Sequence, residues 1–484
     1  MMNCYAPFSH ITDSRFFRAG YSTDEARRLF CDYRRLQRWL DVEIALAACQ
    51  AEMGIIPAAA LPKLEETARL NLLDIGNIQE SIKTSAHSLM PLLKAWEKIT
   101  DPTGGRFIHF GATTQDIQDS AQSLELKDIF AIVERDLGII IGHLRKLAFQ
   151  HRESVIIGRT HGQPALSTTF GLKIATWLDE MLRNADRLKA CKERVLVSQL
   201  FGGVGTMDAL GTRGNELLKC FSARLGLAAP RTAWHAARDR QAEILSVMAI
   251  LAGGLGKIGN EICQLSRYEI GELEEPFHLG KIGSSTMPHK RNPELSEQVV
   301  VLARLIKSNS MLGHDALINE HERDYRAVRL EWVTIMDSSL YLCGALGLMK
   351  FILENLIVHE EAMERNSKKA AELISTEALM FLLGEKIGKQ RAHQLLYTVS
   401  MSIHDTGRSL IDQLLEQPEL KGVFSREMLE KAVAPEKNIG LARSLTDTVV
   451  QAADDWLLRQ QDVAPDISRC PLEDKNGACM AHEA

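Results

Sequence analysis

Proline is scarce in this chain, and the gaps between prolines are long. Fourteen occur in 484 residues, and none lies between Pro164 and Pro230, between Pro230 and Pro276, or between Pro293 and Pro418. A proline inside a helix removes a hydrogen bond and clashes with the preceding turn, so gaps of this length permit long helices. Cysteine offers no framework either. The nine cysteines (Cys4, Cys31, Cys49, Cys191, Cys220, Cys263, Cys343, Cys470 and Cys479) are odd in number, scattered and never arranged as CxxC. That pattern predicts reduced thiols in a cytoplasmic protein. Excess positive charge is missing as well. A net charge of −6 and a pI near 6.2 argue against a nucleic-acid partner held by bulk basicity. The longest apolar run, Ile244 to Gly256, holds 13 residues with Ser246 among them. It falls short of the ~20 that span a bilayer. The N-terminus has no apolar segment behind a basic start. A soluble cytoplasmic protein without a membrane partner is expected.

What is present is ordinary globular composition with strong helical periodicity. Apolar residues at 45% and charged residues at 25% exclude a disordered or collagen-like chain. At about 150 residues per domain the length predicts roughly three domains. A chain this long buries a core without a disulfide or metal staple. Ile244, Val247, Met248, Leu251, Leu255, Ile258, Ile262 and Leu265 keep one helical face over six turns. Leu137, Ile140, Ile141, Leu144 and Leu147 repeat the pattern. Strand-like alternation is rare. The expected fold is all-α, with three helical domains around a central bundle of long helices that forms a tetrameric core. The boundaries expected are 1–111 for an N-terminal helical domain, 112–364 for the long-helix bundle and 365–462 for a C-terminal helical domain. Residues 463–484 are polar and aperiodic, which predicts a loose tail.

The strongest chemical signal is the loop Gly283-Ser-Ser-Thr-Met-Pro-His-Lys-Arg-Asn-Pro293, followed by Glu297. Gly283 and the paired serines make a flexible, hydroxyl-rich segment. Met287-Pro288 and Asn292-Pro293 punctuate it, and a new helix begins near Glu294. Lys290 and Arg291 place positive charge beside two hydroxyls, which suits an anion, most simply a carboxylate.

This loop matches GSSxMPxKxNPxxxE, the signature of the fumarase/aspartase superfamily. Nine fixed positions at about one in twenty each make chance negligible. Four more segments carry the resemblance. His109-Phe-Gly-Ala-Thr-Thr-Gln-Asp116 resembles the superfamily's first active-site segment, and Gly158-Arg-Thr-His-Gly-Gln-Pro164 its second. His321-Glu-Arg-Asp324 is typical of the adenylosuccinate-lyase branch. Trp234-His235 with Arg238-Asp-Arg240 is similar to the neighbouring 3-carboxy-cis,cis-muconate cycloisomerase branch.

The resemblance implies a cofactor-independent, metal-free, homotetrameric lyase with shared active sites. Its expected reaction is C–N cleavage of an N-substituted aspartate or succinyl substrate, releasing fumarate through an aci-carboxylate intermediate. Such chemistry needs a base, an acid for the leaving atom and cationic or dipolar groups around the intermediate. By resemblance Ser284 is the base, Lys290 and the loop amides stabilise its alkoxide, His161 is the acid, and Glu297 orients His161. Thr113, Thr114, Thr160 and Arg323 fall on substrate-binding positions, as do Ser285, Met287 and Asn292. A lone histidine is more often a packing or surface residue, but the Arg-Thr-His-Gly context reverses that for His161. His87 stands where the adenylosuccinate branch carries a second histidine, although its neighbours Thr84-Ser-Ala-His-Ser depart from that branch.

Other departures bear on the substrate. The branch holds a nucleotide phosphate with an Arg-Tyr pair near the N-terminus, and with a serine and an arginine after the HERD-type segment. Here those positions read Gly20 before Tyr21, then Val328 and Trp332. Each lost charge-assisted hydrogen bond is worth roughly 1.5–3 kcal/mol. A compact, non-nucleotide leaving group is therefore expected. Three alternatives stay open: a genuine adenylosuccinate lyase, a carboxymuconate cycloisomerase and a catalytically silent structural homologue. His161 favours a lyase over the cycloisomerase. Gly202-Gly-Val-Gly205 is an incomplete dinucleotide motif, and His359-Glu360 lacks zinc spacing.

Overall fold

The computed structural model describes residues 9–277 and 281–460. Residues 463–484, expected to form the tail, lie outside this range, as do Cys4, Cys470 and Cys479. The fold is all-α. Among the described residues, strands are confined to two short antiparallel pairs.

The elements that place the site are helices α1 (Asp32–Glu52) and α2 (Thr114–Gln150), and a hairpin of β1 (Val155–Thr160) and β2 (Gln163–Thr169). Helices α3 (Phe170–Val195), α4 (Gly214–Leu225) and α5 (Asp239–Leu265) follow. Next come β3 (Leu273–Glu274), α6 (Glu294–Asp315), α7 (Tyr325–Glu354) and β4 (Ile357–Val358). Helices α8 (Glu360–Ile374) and α9 (Ala442–Gln460) complete the set.

Helices α2, α3, α5, α6 and α7 form the long bundle. Helix α2 has 37 residues, so at 1.5 Å per residue it is roughly 55 Å long. Its start is fixed by a capping box in which Thr113 and Asp116 satisfy each other's backbone N–H. The apolar face read from α5 is buried in full, from Ile244 to Leu265. It packs with Leu137, Ile140, Ile141 and Leu144 of α2 in one core. At Gly259 an added Cβ would lie 2.8 Å from the Ser296 carbonyl oxygen, so this residue lets α5 touch the first turn of α6. Two further cores flank the bundle. One gathers Trp39, Leu46, Trp96 and Phe221 with Ile117 of α2, and the other gathers Leu379, Leu396, Leu410 and Leu429. Helix α9 returns to the bundle, where Asp454 accepts two hydrogen bonds from Arg145 of α2.

The bundle helices alternate in direction, and this sets where the motifs fall. At one end, Phe170 and Gly171 at the start of α3 donate to Ser154 and His151 just past α2. There too His359, after α7, donates to Glu272, after α5. At the other end, His235 and Arg238 before α5 meet Asp116 and Asp119 of α2, and Arg238 also meets Glu331 of α7.

Two expectations change. Helices α5 and α7 are long and apolar enough to span a bilayer, with mean hydropathies of 1.5 and 1.3 over their most apolar windows, each 67% buried in the bundle. Burial against neighbouring helices explains this apolarity, which a search for one uninterrupted run missed. The thiols are also not all free. Cys49 of α1 and Cys220 of α4 form a disulfide with Cα atoms 5.9 Å apart, across a sequence separation of 171. Packing of α4 on α1 brings them together, and no local spacing could announce it. Cys191, Cys263 and Cys343 are free thiols.

Candidate active site

At the capped end of α2, Asp116 is fully buried and holds four groups at once. It accepts from the backbone N–H of Thr113 (3.0 Å), Phe201 (2.9 Å) and Gly202 (2.9 Å), and from His235 Nε2 (3.0 Å). The carboxylate thus ties the start of α2 to the Gly202–Gly205 loop. Arg323 completes the arrangement by donating to Thr113 Oγ1 (3.0 Å) and to the carbonyls of Gly202 and Gly203. The glycine segment dismissed as a dinucleotide motif is therefore a wall of this site. Asp116 lay in the first motif without a role, and its Thr-x-x-Asp capping pattern was the available signal.

Beneath these groups lies a buried ionic cluster. Arg238 donates to Asp119 (2.8 Å) and Glu331 (2.7 Å) and stands 4.9 Å over the Trp234 ring. Burial pushes the Glu331 carboxyl up, while Asp119 and Glu331 together keep the buried Arg238 charged. Removing one member of such a cluster leaves an unpaired buried charge and costs about 3–5 kcal/mol. The Trp-His…Arg motif is thus the foundation under Asp116, with His235 the member that reaches it.

His109 precedes Thr113 and hydrogen-bonds through Nδ1 to Glu43 Oε1 of α1 at 2.6 Å. Burial opposes its charge, but the Glu43 hydrogen bond and charge outweigh burial and raise its pKa. His109, His161 and His321, one in each of three motif segments, all adopt positive φ, at 59°, 52° and 57°. This region is costly for a residue with a Cβ and clusters at functional sites.

The residues at the positions where the adenylosuccinate branch holds a phosphate serve other contacts. Val328 is 1% exposed and belongs to the core. Trp332 packs between Trp39 and Tyr325, with 6.3 Å between ring centroids in each case. Gly20 accepts from Gln298 Nε2 through its carbonyl at 2.8 Å. Arg326 is bonded to Asp324, whose carboxyl is thereby held down at about 2, and to Glu320. His87 is half-buried, and its Nδ1 accepts from Met90 N at 3.1 Å.

The remaining predicted residues sit at the opposite end of the bundle. Thr160 and His161 are exposed at the tip of the β1–β2 hairpin, which Arg159 anchors through two hydrogen bonds to Glu272. Ser284 is half-buried, and its Oγ accepts from the N–H groups of Thr286 (3.3 Å) and Met287 (3.1 Å). Asn292 closes the loop by donating to the Gly283 carbonyl at 2.6 Å. A Cβ on Gly283 would meet the Lys290 carbonyl at 1.9 Å, so only glycine fits this closure. Glu275 anchors the loop's far side, accepting from the N–H groups of Leu295 and Ser296 at the start of α6 and from Lys281. Ser285, Met287, Lys290 and Glu297 are exposed. One chain therefore brings Thr113, Thr114 and Arg323 together at one end of the bundle. It holds His161, Ser284, Lys290, Asn292 and Glu297 at the other.

Comparison with known proteins identifies the family. Residues 18–306 match the family described as lyase, and residues 372–449 match the adenylosuccinate lyase C-terminus. The chain is 40% identical to the N-acetyl-S-(2-succino)cysteine lyase of Enterococcus italicus, over 92% of this chain and 97% of that one. It is 38% identical to the adenylosuccinate lyase of Pyrococcus abyssi, over 89% and 96%. The structure of the 3-carboxy-cis,cis-muconate lactonizing enzyme from Pseudomonas putida superposes with a TM-score of 0.85 at 32% identity, covering 92% and 100%. With its motifs in order, its helical bundle and these matches, the chain belongs to the fumarase/aspartase superfamily of lyases, on the branch of adenylosuccinate lyase and 3-carboxy-cis,cis-muconate cycloisomerase.

Proposed function

We propose that the protein releases fumarate from a succinyl substrate by β-elimination, with Ser284 as base and His161 as acid. The observation that carries this reading is the Ser284 hydroxyl, whose oxygen already accepts two backbone N–H groups. A serine is a poor base until its alkoxide is stabilised, and fixed N–H dipoles stabilise it without reorganisation. Lys290 adds positive charge, and Asn292 holds the loop closed. The alkoxide takes the proton from the carbon beside one carboxylate. Electron density passes into that carboxylate, the bond to the leaving atom breaks, and His161 protonates the leaving atom, with Glu297 orienting the ring. Thr113, Thr114 and Arg323 bind substrate carboxylate, helped by Thr160, Ser285 and Met287.

A leaving nitrogen is the reading taken from the motifs. The Enterococcus relative is named for a substrate with its succinyl group on sulfur, where the same elimination breaks a C–S bond. Both leaving groups require the same carbanion and therefore the same base. We assign a compact leaving group on nitrogen or sulfur, because Gly20, Val328 and Trp332 supply no charged side-chain donor for a nucleotide phosphate. The cycloisomerase reading, favoured by the Pseudomonas structure, would give a lactone instead of fumarate.

A complete site requires other subunits. The two motif sets lie at opposite ends of a bundle about 55 Å long, and each end must be completed by the other end of a neighbour. Apolar side chains remain exposed on the bundle's outer face, among them Ile250 (49%), Met311 (64%) and Val333 (54%), as an assembling surface requires. We assign a homotetramer, cytoplasmic and acting on a small dicarboxylate. Fumarate absorbance with a panel of N-succinyl and S-succinyl compounds tests the function. Release from a compact member, with kcat/KM for adenylosuccinate below the ordinary range of about 10⁴ M⁻¹s⁻¹, supports it. Efficient turnover of adenylosuccinate alone overturns the compact leaving group.

A further inference from the structure

Resting on the elimination reading above, we propose that Arg329 binds a carboxylate on the leaving half of the substrate. Three arginines project from the segment that closes the Thr113 end, and two are committed. Arg323 serves Thr113 and the glycine-loop carbonyls, and Arg326 serves Asp324 and Glu320. Arg329 is exposed, and among the described residues no carboxylate pairs with it. Its guanidinium carbon stands 5.4 Å over the Tyr325 ring. Stacking on an aromatic face orients the guanidinium plane and leaves its N–H fork free for a planar anion.

Tyr325 places this arginine beside the start of α2. Tyr325, Arg329 and Trp332 follow i, i+4, i+7 spacing and share one face of α7. The Tyr325 hydroxyl donates to Gln118 Oε1 at 3.1 Å and lies 3.3 Å from Ser88 Oγ, which accepts from Gln118 Nε2 at 2.7 Å. Gln118 stands one turn along α2 from Thr114, so this face adjoins the end assigned to the succinyl carboxylate. His87 precedes Ser88. Because its Nδ1 accepts from Met90 N, the neutral ring carries its hydrogen on Nε2 and adds a second donor. The result is an aromatic wall with one unneutralised cation, suited to a small acid that leaves through sulfur or nitrogen.

The test compares N-acetyl-S-(2-succino)cysteine with its carboxamide, which keeps the succinyl unit and loses the leaving-half charge. Wild-type protein should process the acid at least ~10-fold more efficiently, mainly through KM. Arg329→Gln should lower kcat/KM for the acid by ~10–100-fold, the scale of one charge-assisted hydrogen bond, and leave the amide unchanged. Equal losses on both probes would mean a packing role for Arg329 and overturn the proposal, as would a wild type indifferent to the charge. Adenylosuccinate separates the sources of negative charge: an Arg329→Gln loss confined to it assigns the arginine to phosphate and refutes the carboxylate. Fumarate from none of the three overturns the elimination reading, and this proposal with it.

Discussion

Ser284 and His161 differ in what their loss should cost. The base abstracts a proton from carbon whichever atom leaves, so Ser284→Ala should lower turnover by at least about 10²-fold on every succinyl substrate. The acid serves the leaving atom. A thiol ionises with a reference pKa near 8.5, so a thiolate can depart unprotonated, whereas an amine nitrogen must be protonated as its C–N bond breaks. We expect His161→Ala to cost about 10²-fold on an N-succinyl substrate and measurably less on an S-succinyl one. Stopped-flow fumarate absorbance decides this, with circular dichroism to confirm folding. Near wild-type turnover on N-succinyl substrate would remove His161 from the role of acid.

Between elements, the His109–Glu43 pair joins the segment before α2 to helix α1 and carries a pH signature. Its histidine pKa is raised in the folded protein, although burial opposes the charge, because Glu43 hydrogen-bonds and faces it. A raised pKa means that the folded state binds the proton more tightly than the unfolded one. The stabilisation is complete below the unfolded value of about 6.5 and is lost as pH rises through the folded value. Glu43→Gln should therefore destabilise the protein most near pH 6, with the difference from wild type shrinking above His109's folded pKa. Urea denaturation across pH 6 to 9 measures it. A pH-independent difference would show that the pair acts through packing alone.

For the whole molecule, the placement of the two motif sets at opposite ends of the bundle gives a test of shared sites. Arg323→Ala damages one end of each chain and Ser284→Ala the other, so each homotetramer should be inactive. Mixed tetramers contain sites that draw intact Arg323 from one chain and intact Ser284 from another, and should recover a fraction of wild-type activity. Mixed tetramers that assemble, verified by differential tagging, yet stay inactive would exclude assembly of the site across subunits.

The sequence by itself determined the helical class, because Ile244 to Leu265 fix one face by local periodicity and the proline gaps let the helices run. It also determined the reaction class, since the Ser284 loop, the His161 turn and the Thr113 cap are contiguous motifs. Only tertiary structure decided the rest. Asp116 became the centre of a buried hydrogen-bond cluster because Phe201, Gly202 and His235 arrive from 85 or more residues away. Cys49 met Cys220 because α4 packs on α1, and Trp332 became a packing residue because Trp39 and Tyr325 enclose it. Arg326 and Arg329, alike in sequence, were separated by an acidic partner on one and an aromatic ring under the other. Local order in a chain fixes periodicity and motif chemistry, whereas burial, ion pairing and the distance between half-sites depend on contacts between segments far apart in sequence.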